Sequence, residues 1–163
     1  MKTICIKSFN KTLDYLDDIP NINNGGCGIA AIALYRWLEK NQKLSEDTTI
    51  FGFELRYEEY QNNVNLLKDK CNNNLENKLM VSNHYMIFHE NKLHDSTGSY
   101  ISCDDKNISY HYQYEISPEQ LLILINKPTL GRGWNSFFNR ENVPFIASKL
   151  KIDLSDISLE TIC

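Results

Sequence analysis

The spacing of apolar positions divides this chain into short elements. Thr3 to Lys7 alternates isoleucine with polar residues and predicts a short strand. Asn10 is placed to cap a helix through Asp18, with Leu13, Leu16 and Ile19 on one side and Pro20 ending it. The run Ile29-Ala30-Ala31-Ile32-Ala33-Leu34, followed by Trp37 and Leu38, predicts a helix from about Gly28 to Lys40. It offers little polar surface before Arg36 and Glu39, and a helix apolar on most faces belongs at the centre of a fold. Thr48 to Leu55 reads as a strand, and Tyr57 to about Lys70 as a helix before the polar Asn72-Asn73-Asn74. His84 to His89 is rich in strand formers, Glu90-Asn91-Lys92 is a turn, and Leu93 to Gly98 returns, which together predict a hairpin. Tyr110 to Ile116 is a further strand. Ser117-Pro118-Glu119-Gln120 sets a Ser cap, a Pro at the first helical position and a Gln three residues after the cap. The helix it starts must stop before Pro128. A loop at Gly131 to Asn135 precedes a last helix from Asn142 to Lys151, with Val143, Ile146, Ala147 and Leu150 on one face.

Strands and helices in this order predict an α+β domain, with a central helix on an antiparallel sheet and further helices flanking it. No internal repeat or linker splits the chain, so residues 1–163 are expected to form a single domain. Its 42% hydrophobic and 11% aromatic content suits a packed core. A formal charge of −4 argues against nucleic acid as a partner, because phosphate binding needs a basic surface. No apolar run approaches the ~20 residues of a membrane span, and the first seven residues are too interrupted for a secretory signal. The five cysteines, Cys5, Cys27, Cys71, Cys103 and Cys163, are odd in number, widely spaced and without a C-x-x-C pair. That excludes a disulfide framework and fits a reducing, cytoplasmic setting. No group has metal-ligand spacing, and no cofactor is expected.

The chemistry concentrates at Asn24-Gly25-Gly26-Cys27-Gly28. A cysteine between glycines stands where a loop becomes a helix. Unpaired backbone N–H groups and the positive end of the helix dipole favour thiolate over thiol at that position. The glycines keep side chains away from the sulfur, which lets a substrate backbone approach. Such a nucleophile needs a histidine base, and the base needs an orienting acceptor. Of His84, His89, His94 and His111, His84 stands at a strand start, where a cleft can open. A two-residue turn at Glu90 and Asn91 would set His89 opposite Lys92, Met86 opposite Asp95, and His84 opposite Thr97. Asp95 then lies diagonally across from His84 on one face, within reach of a hydrogen bond. A register shifted by one residue would send it to the other face. His89, beside the turn, and His94, alternating away from Asp95, fit the role less well. Plainer readings exist for each residue: a buried apolar Cys27, a structural His84, and an Asx-type turn at Asp95-Ser96-Thr97-Gly98.

These residues resemble the papain-like cysteine peptidase superfamily, which includes papain-type peptidases, cell-wall amidohydrolases and transglutaminase-like enzymes. The resemblance rests on Gly25-Gly26-Cys27-Gly28-Ile29-Ala30, His84-Tyr85-Met86-Ile87-Phe88 and Leu93-His94-Asp95-Ser96-Thr97-Gly98, and is greatest to small proteins of phages and prophages. It extends to Trp134-Asn135-Ser136-Phe137-Phe138-Asn139-Arg140 and Asn142-Val143-Pro144. It implies a papain-like fold with Cys27 as nucleophile, His84 as general base and acid, and Asp95 as orienter. In papain-type enzymes a Gln shortly before the cysteine serves the oxyanion hole, and this sequence has none there. Among the amides Asn21, Asn23 and Asn24, Asn21 or Asn24 is expected in that role, beside the Cys27 N–H, with Gly26 on the substrate side. The expected function is a cysteine hydrolase (peptidase, isopeptidase or amidase) acting on a protein or peptide, such as a host defence protein. The alternatives are an acyltransferase using the same site and a non-enzymatic protein that binds and inhibits a host factor.

Overall fold

The computed structural model describes residues 8–23, 25–55, 83–102, 110–125 and 138–158. The strand expected at Thr3 to Lys7, the helix expected at Tyr57 to Lys70 and the loop at Gly131 to Asn135 lie outside them, as do all cysteines but Cys27.

Helix α1 (Phe9–Asp17) begins two residues earlier than an Asn10 cap would allow. Ser8 is the cap, and its hydroxyl accepts the Lys11 N–H at 3.3 Å. Both residue types can cap a helix, and the earlier start brings Phe9 into the fold beside the core. Helix α2 (Cys27–Lys40) keeps its predicted span and is buried along its first eight residues and again at Trp37 and Leu38. Five strands follow: β1 (Thr49–Leu55), β2 (Asn83–His89), β3 (Lys92–Asp95), β4 (Gly98–Tyr100) and β5 (Tyr110–Ile116). Helices α3 (Pro118–Ile125) and α4 (Asn142–Leu150) complete an α+β architecture among the described residues. At the head of α3, Ser117 Oγ accepts the Gln120 N–H and Gln120 Oε1 accepts the Ser117 N–H, both at 3.1 Å, which closes the predicted capping box.

The strands form one antiparallel sheet in the order β4-β3-β2-β1-β5. Side chains alternate across it. On one face Ile50, Tyr85 and Ile87 join α2, α3 and α4 in the main core. On the other, Phe53, Met86 and Leu93 form a smaller cluster with Phe51, Phe88 and Tyr100. Helix α2 is therefore covered by sheet on one side and by α3 and α4 on another, which is why it has no polar stripe. Among the described residues, no helix is long and apolar enough to cross a membrane.

The hairpin is the part of the fold that decides the site. Glu90 and Asn91 have φ of 50° and 59°, the pair of positive values that a type I′ turn requires. His89 pairs with Lys92, Phe88 with Leu93 and Ile87 with His94, the register expected for a two-residue turn. The return is not one strand to Gly98. It breaks at Ser96-Thr97, where the Asp95 carboxylate accepts the Thr97 N–H, and Gly98 resumes pairing opposite Asp95.

Candidate active site

Cys27 is the first residue of α2, with Gly26 as the helix cap. Its thiol is buried, at 3% exposure. Burial pushes the thiol pKa up, and that effect is outweighed by a hydrogen bond to His84, the charge of the imidazole, and the backbone N–H groups of Tyr85 and Gly28. The net result holds Cys27 below the ordinary thiol range, toward thiolate. The N–H groups come from two sources: Gly28 belongs to the first turn of α2, and Tyr85 is the backbone of β2 arriving beside it.

His84 is the second residue of β2, and side-chain alternation sends it to the face of Phe53 and Met86, away from the α2 side. At the strand's end its ring meets the start of α2. Its Nε2 lies 2.9 Å from Asp95 Oδ2. A buried carboxylate acceptor places a proton on Nε2 and leaves Nδ1 for the Cys27 sulfur. Asp95 is only 2% exposed and is fully engaged. Its second oxygen accepts the Thr97 N–H at 2.9 Å and the Thr97 hydroxyl at 2.6 Å. Thr97 Oγ1 in turn lies 2.8 Å from the Tyr100 hydroxyl. The Asx-type turn and the histidine partner are thus two uses of one carboxylate. The turn locks one oxygen, and the other is aimed at the imidazole.

The glycine before the cysteine also has a packing role. Gly26 is buried, and a Cβ there would come within 2.7 Å of both the Ile22 carbonyl oxygen and the Phe138 ring. It is needed for close packing of the loop against the protein.

Asn21 lies exposed in the turn before the helix, at φ 59°, and Asn24 is outside the described residues. The third amide, Asn23, is engaged by the fold. Asn23 Nδ2 donates to Ser96 Oγ at 2.5 Å, while its Oδ1 is buried with no hydrogen-bond partner among the described residues. This contact ties the loop that carries Cys27 to the residue after Asp95. Nothing local in the sequence distinguishes Asn23 from its neighbours, because its partner is 73 residues away.

His89 and His94 do not join Cys27. They sit toward the turn of the hairpin on the α2 side, with Phe9 packed edge-on to His94 at a centroid distance of 4.8 Å. Among the described residues, no group of three or more His, Cys, Asp or Glu is arranged to hold a metal ion. Comparison with protein-family models, with curated proteins and with solved structures finds no match to this chain.

Proposed function

We propose that this protein is a papain-like cysteine hydrolase that cleaves an amide bond in a protein or peptide. The observation that carries this reading is the unbroken contact chain Asp95–His84–Cys27, with the sulfur at a helix start and its pKa lowered. A structural cysteine in an apolar helix would have a raised pKa and no histidine partner.

In this mechanism the Cys27 thiolate attacks the carbonyl carbon and the carbonyl oxygen becomes an oxyanion. The Cys27 backbone N–H stands at the first helical position, the positive end of the helix dipole, and is suited to bind that oxygen. The imidazolium gives its Nδ1 proton to the leaving amine, which departs as the tetrahedral adduct collapses to a thioester. Water then loses a proton to Nδ1 as it attacks the thioester. Collapse releases the carboxylic acid and restores the thiolate–imidazolium pair. Throughout, Asp95 accepts from Nε2 and stabilises the positive ring.

Competitive labelling with iodoacetamide at pH 6 tests the reading. Cys27 should react much faster than Cys5, Cys71, Cys103 and Cys163 under native conditions. A peptide electrophile should modify it, and His84→Ala should remove the advantage. Equal labelling of all accessible thiols would sink the proposal. So would hydrolytic activity that survives Cys27→Ala.

A further inference from the structure

The hairpin that holds His84 and Asp95 at one end carries a second histidine pair at the other. His84 and His89 are five strand residues apart, about 17 Å at the usual strand rise. Near His89 and His94 lies a pocket of about 530 Å³, within the size range of small-molecule sites. Its walls include Phe9 and Leu38 on the apolar side and Asn10, Lys43, Lys92 and Ser99 on the polar side.

The hydrogen bonds fix what each imidazole offers. His94 uses both nitrogens: Nε2 donates to the His89 carbonyl at 3.0 Å, and Nδ1 lies 2.6 Å from Ser99 Oγ. Burial, with the charges of His89 and Lys92, lowers its pKa, so it forms a neutral wall. His89 differs. Thr48 Oγ1 already accepts the Ser45 N–H at 2.9 Å, and Ser45 Oγ is 2.5 Å from the Asp47 carboxylate and so directs its proton there. His89 Nδ1 lies 2.9 Å from Thr48 Oγ1 and 3.3 Å from Ser45 Oγ, and these two hydroxyls are 2.8 Å from each other. Its Nε2, on the other edge of the ring, lies 3.9 Å from the exposed Glu90 carboxylate.

Lys43 and Lys92 are exposed at the rim, and neither pairs with a carboxylate among the described residues. Lys43 Nζ instead rests 5.1 Å from the centroid of the Trp37 ring. Two lysines without a carboxylate partner among the described residues and the His89 imidazole thus line one cavity, whose walls include the single carboxylate of Glu90, in a chain whose net charge is −4. We propose that the pocket walled by Phe9, Lys43, His89 and Lys92 binds a small organic anion, a carboxylate or phosphate carried on an aromatic body. The anionic group meets the lysines and the His89 imidazole, and the aromatic body lies against Phe9. This site is separate from Cys27 and does not depend on the reaction proposed there.

Phenyl phosphate, titrated into the protein while the imidazole resonances are followed by NMR, tests it. The His89 signals should shift saturably at up to low millimolar ligand, and those of His84 should not. The Lys43→Gln/Lys92→Gln double variant should bind about tenfold more weakly. Benzylamine, of similar shape and opposite charge, should leave His89 unmoved. Three results would overturn the proposal: no shift of His89, equal binding by the double variant, or binding of the amine in place of the phosphate.

Discussion

Asp95→Asn isolates what the carboxylate does for the sulfur. The side chain is nearly isosteric, and its Oδ1 can still accept the Thr97 N–H and hydroxyl, so the turn survives. What changes is the atom 2.9 Å from His84 Nε2. An amide nitrogen there is a donor, which forces the imidazole to carry its proton on Nδ1, facing Cys27, and removes the acceptor that stabilises the charged ring. A hydrogen bond to a charged group contributes about 1.5–3 kcal/mol net. At 1.36 kcal/mol per pKa unit, its loss should raise the Cys27 titration by about one to two units. The assay is the rate of iodoacetamide alkylation of Cys27 across pH, read by mass spectrometry. Wild type should show its inflection below that of a free thiol. The variant's inflection should move up, with its rate at pH 6 falling by about 10- to 100-fold. On an amide substrate the loss should be larger, on the order of 10⁴, because the wrong tautomer cannot take up the proton. An unchanged pH profile in a variant with wild-type urea stability would refute the coupling of Asp95 to the sulfur.

Three further outcomes follow from the same geometry. Gly26→Ala drives a methyl group into the Ile22 carbonyl and the Phe138 ring, and should cost about 1–3 kcal/mol in urea unfolding. Cys27 has a lower pKa folded than unfolded, so between those two values the unfolded chain binds the extra proton. Its contribution to stability is present above the unfolded pKa and disappears as pH falls through the folded one, and the wild-type minus Cys27→Ala difference in unfolding free energy should rise with pH across that window. His94 also has a lowered pKa but is neutral in the fold, so the unfolded chain takes up the proton first as pH drops below about 6.5. The native state should lose stability from there down to the folded pKa, and a His94→Gln variant, compared at pH 7.5 and 5.5, should lose less.

The parts of the site legible in the sequence are those set by local geometry. Cys27 is visible because glycines and a long apolar run mark a helix start without need of any partner. The His84–Asp95 pair is visible because a strand has a period of two and a two-residue turn fixes the register, so counting residues locates the carboxylate. What escapes depends on contacts between distant segments. Gly26 is a glycine because Phe138 presses on it from the far end of the chain. Asn23 is engaged by Ser96, 73 residues away. The second histidine pair reads as unused until α1, capped at Ser8 and not at Asn10, brings Phe9 against it.

The turn at Glu90 and Asn91 has a consequence for how this protein can vary. Loops usually tolerate insertions, because their length is not tied to what they connect. Under the proposed mechanism, the length here is a setting of the chemistry. One extra residue would slide β3 by a single step, keep much of the hydrogen-bonded ladder, and exchange the faces of His94 and Asp95. An imidazole would then stand beside His84 with no carboxylate to charge it, and an acid would be pressed toward Phe9. The hairpin turn thus acts as a ratchet with two positions, and only one of them aligns the acid, the base and the sulfur.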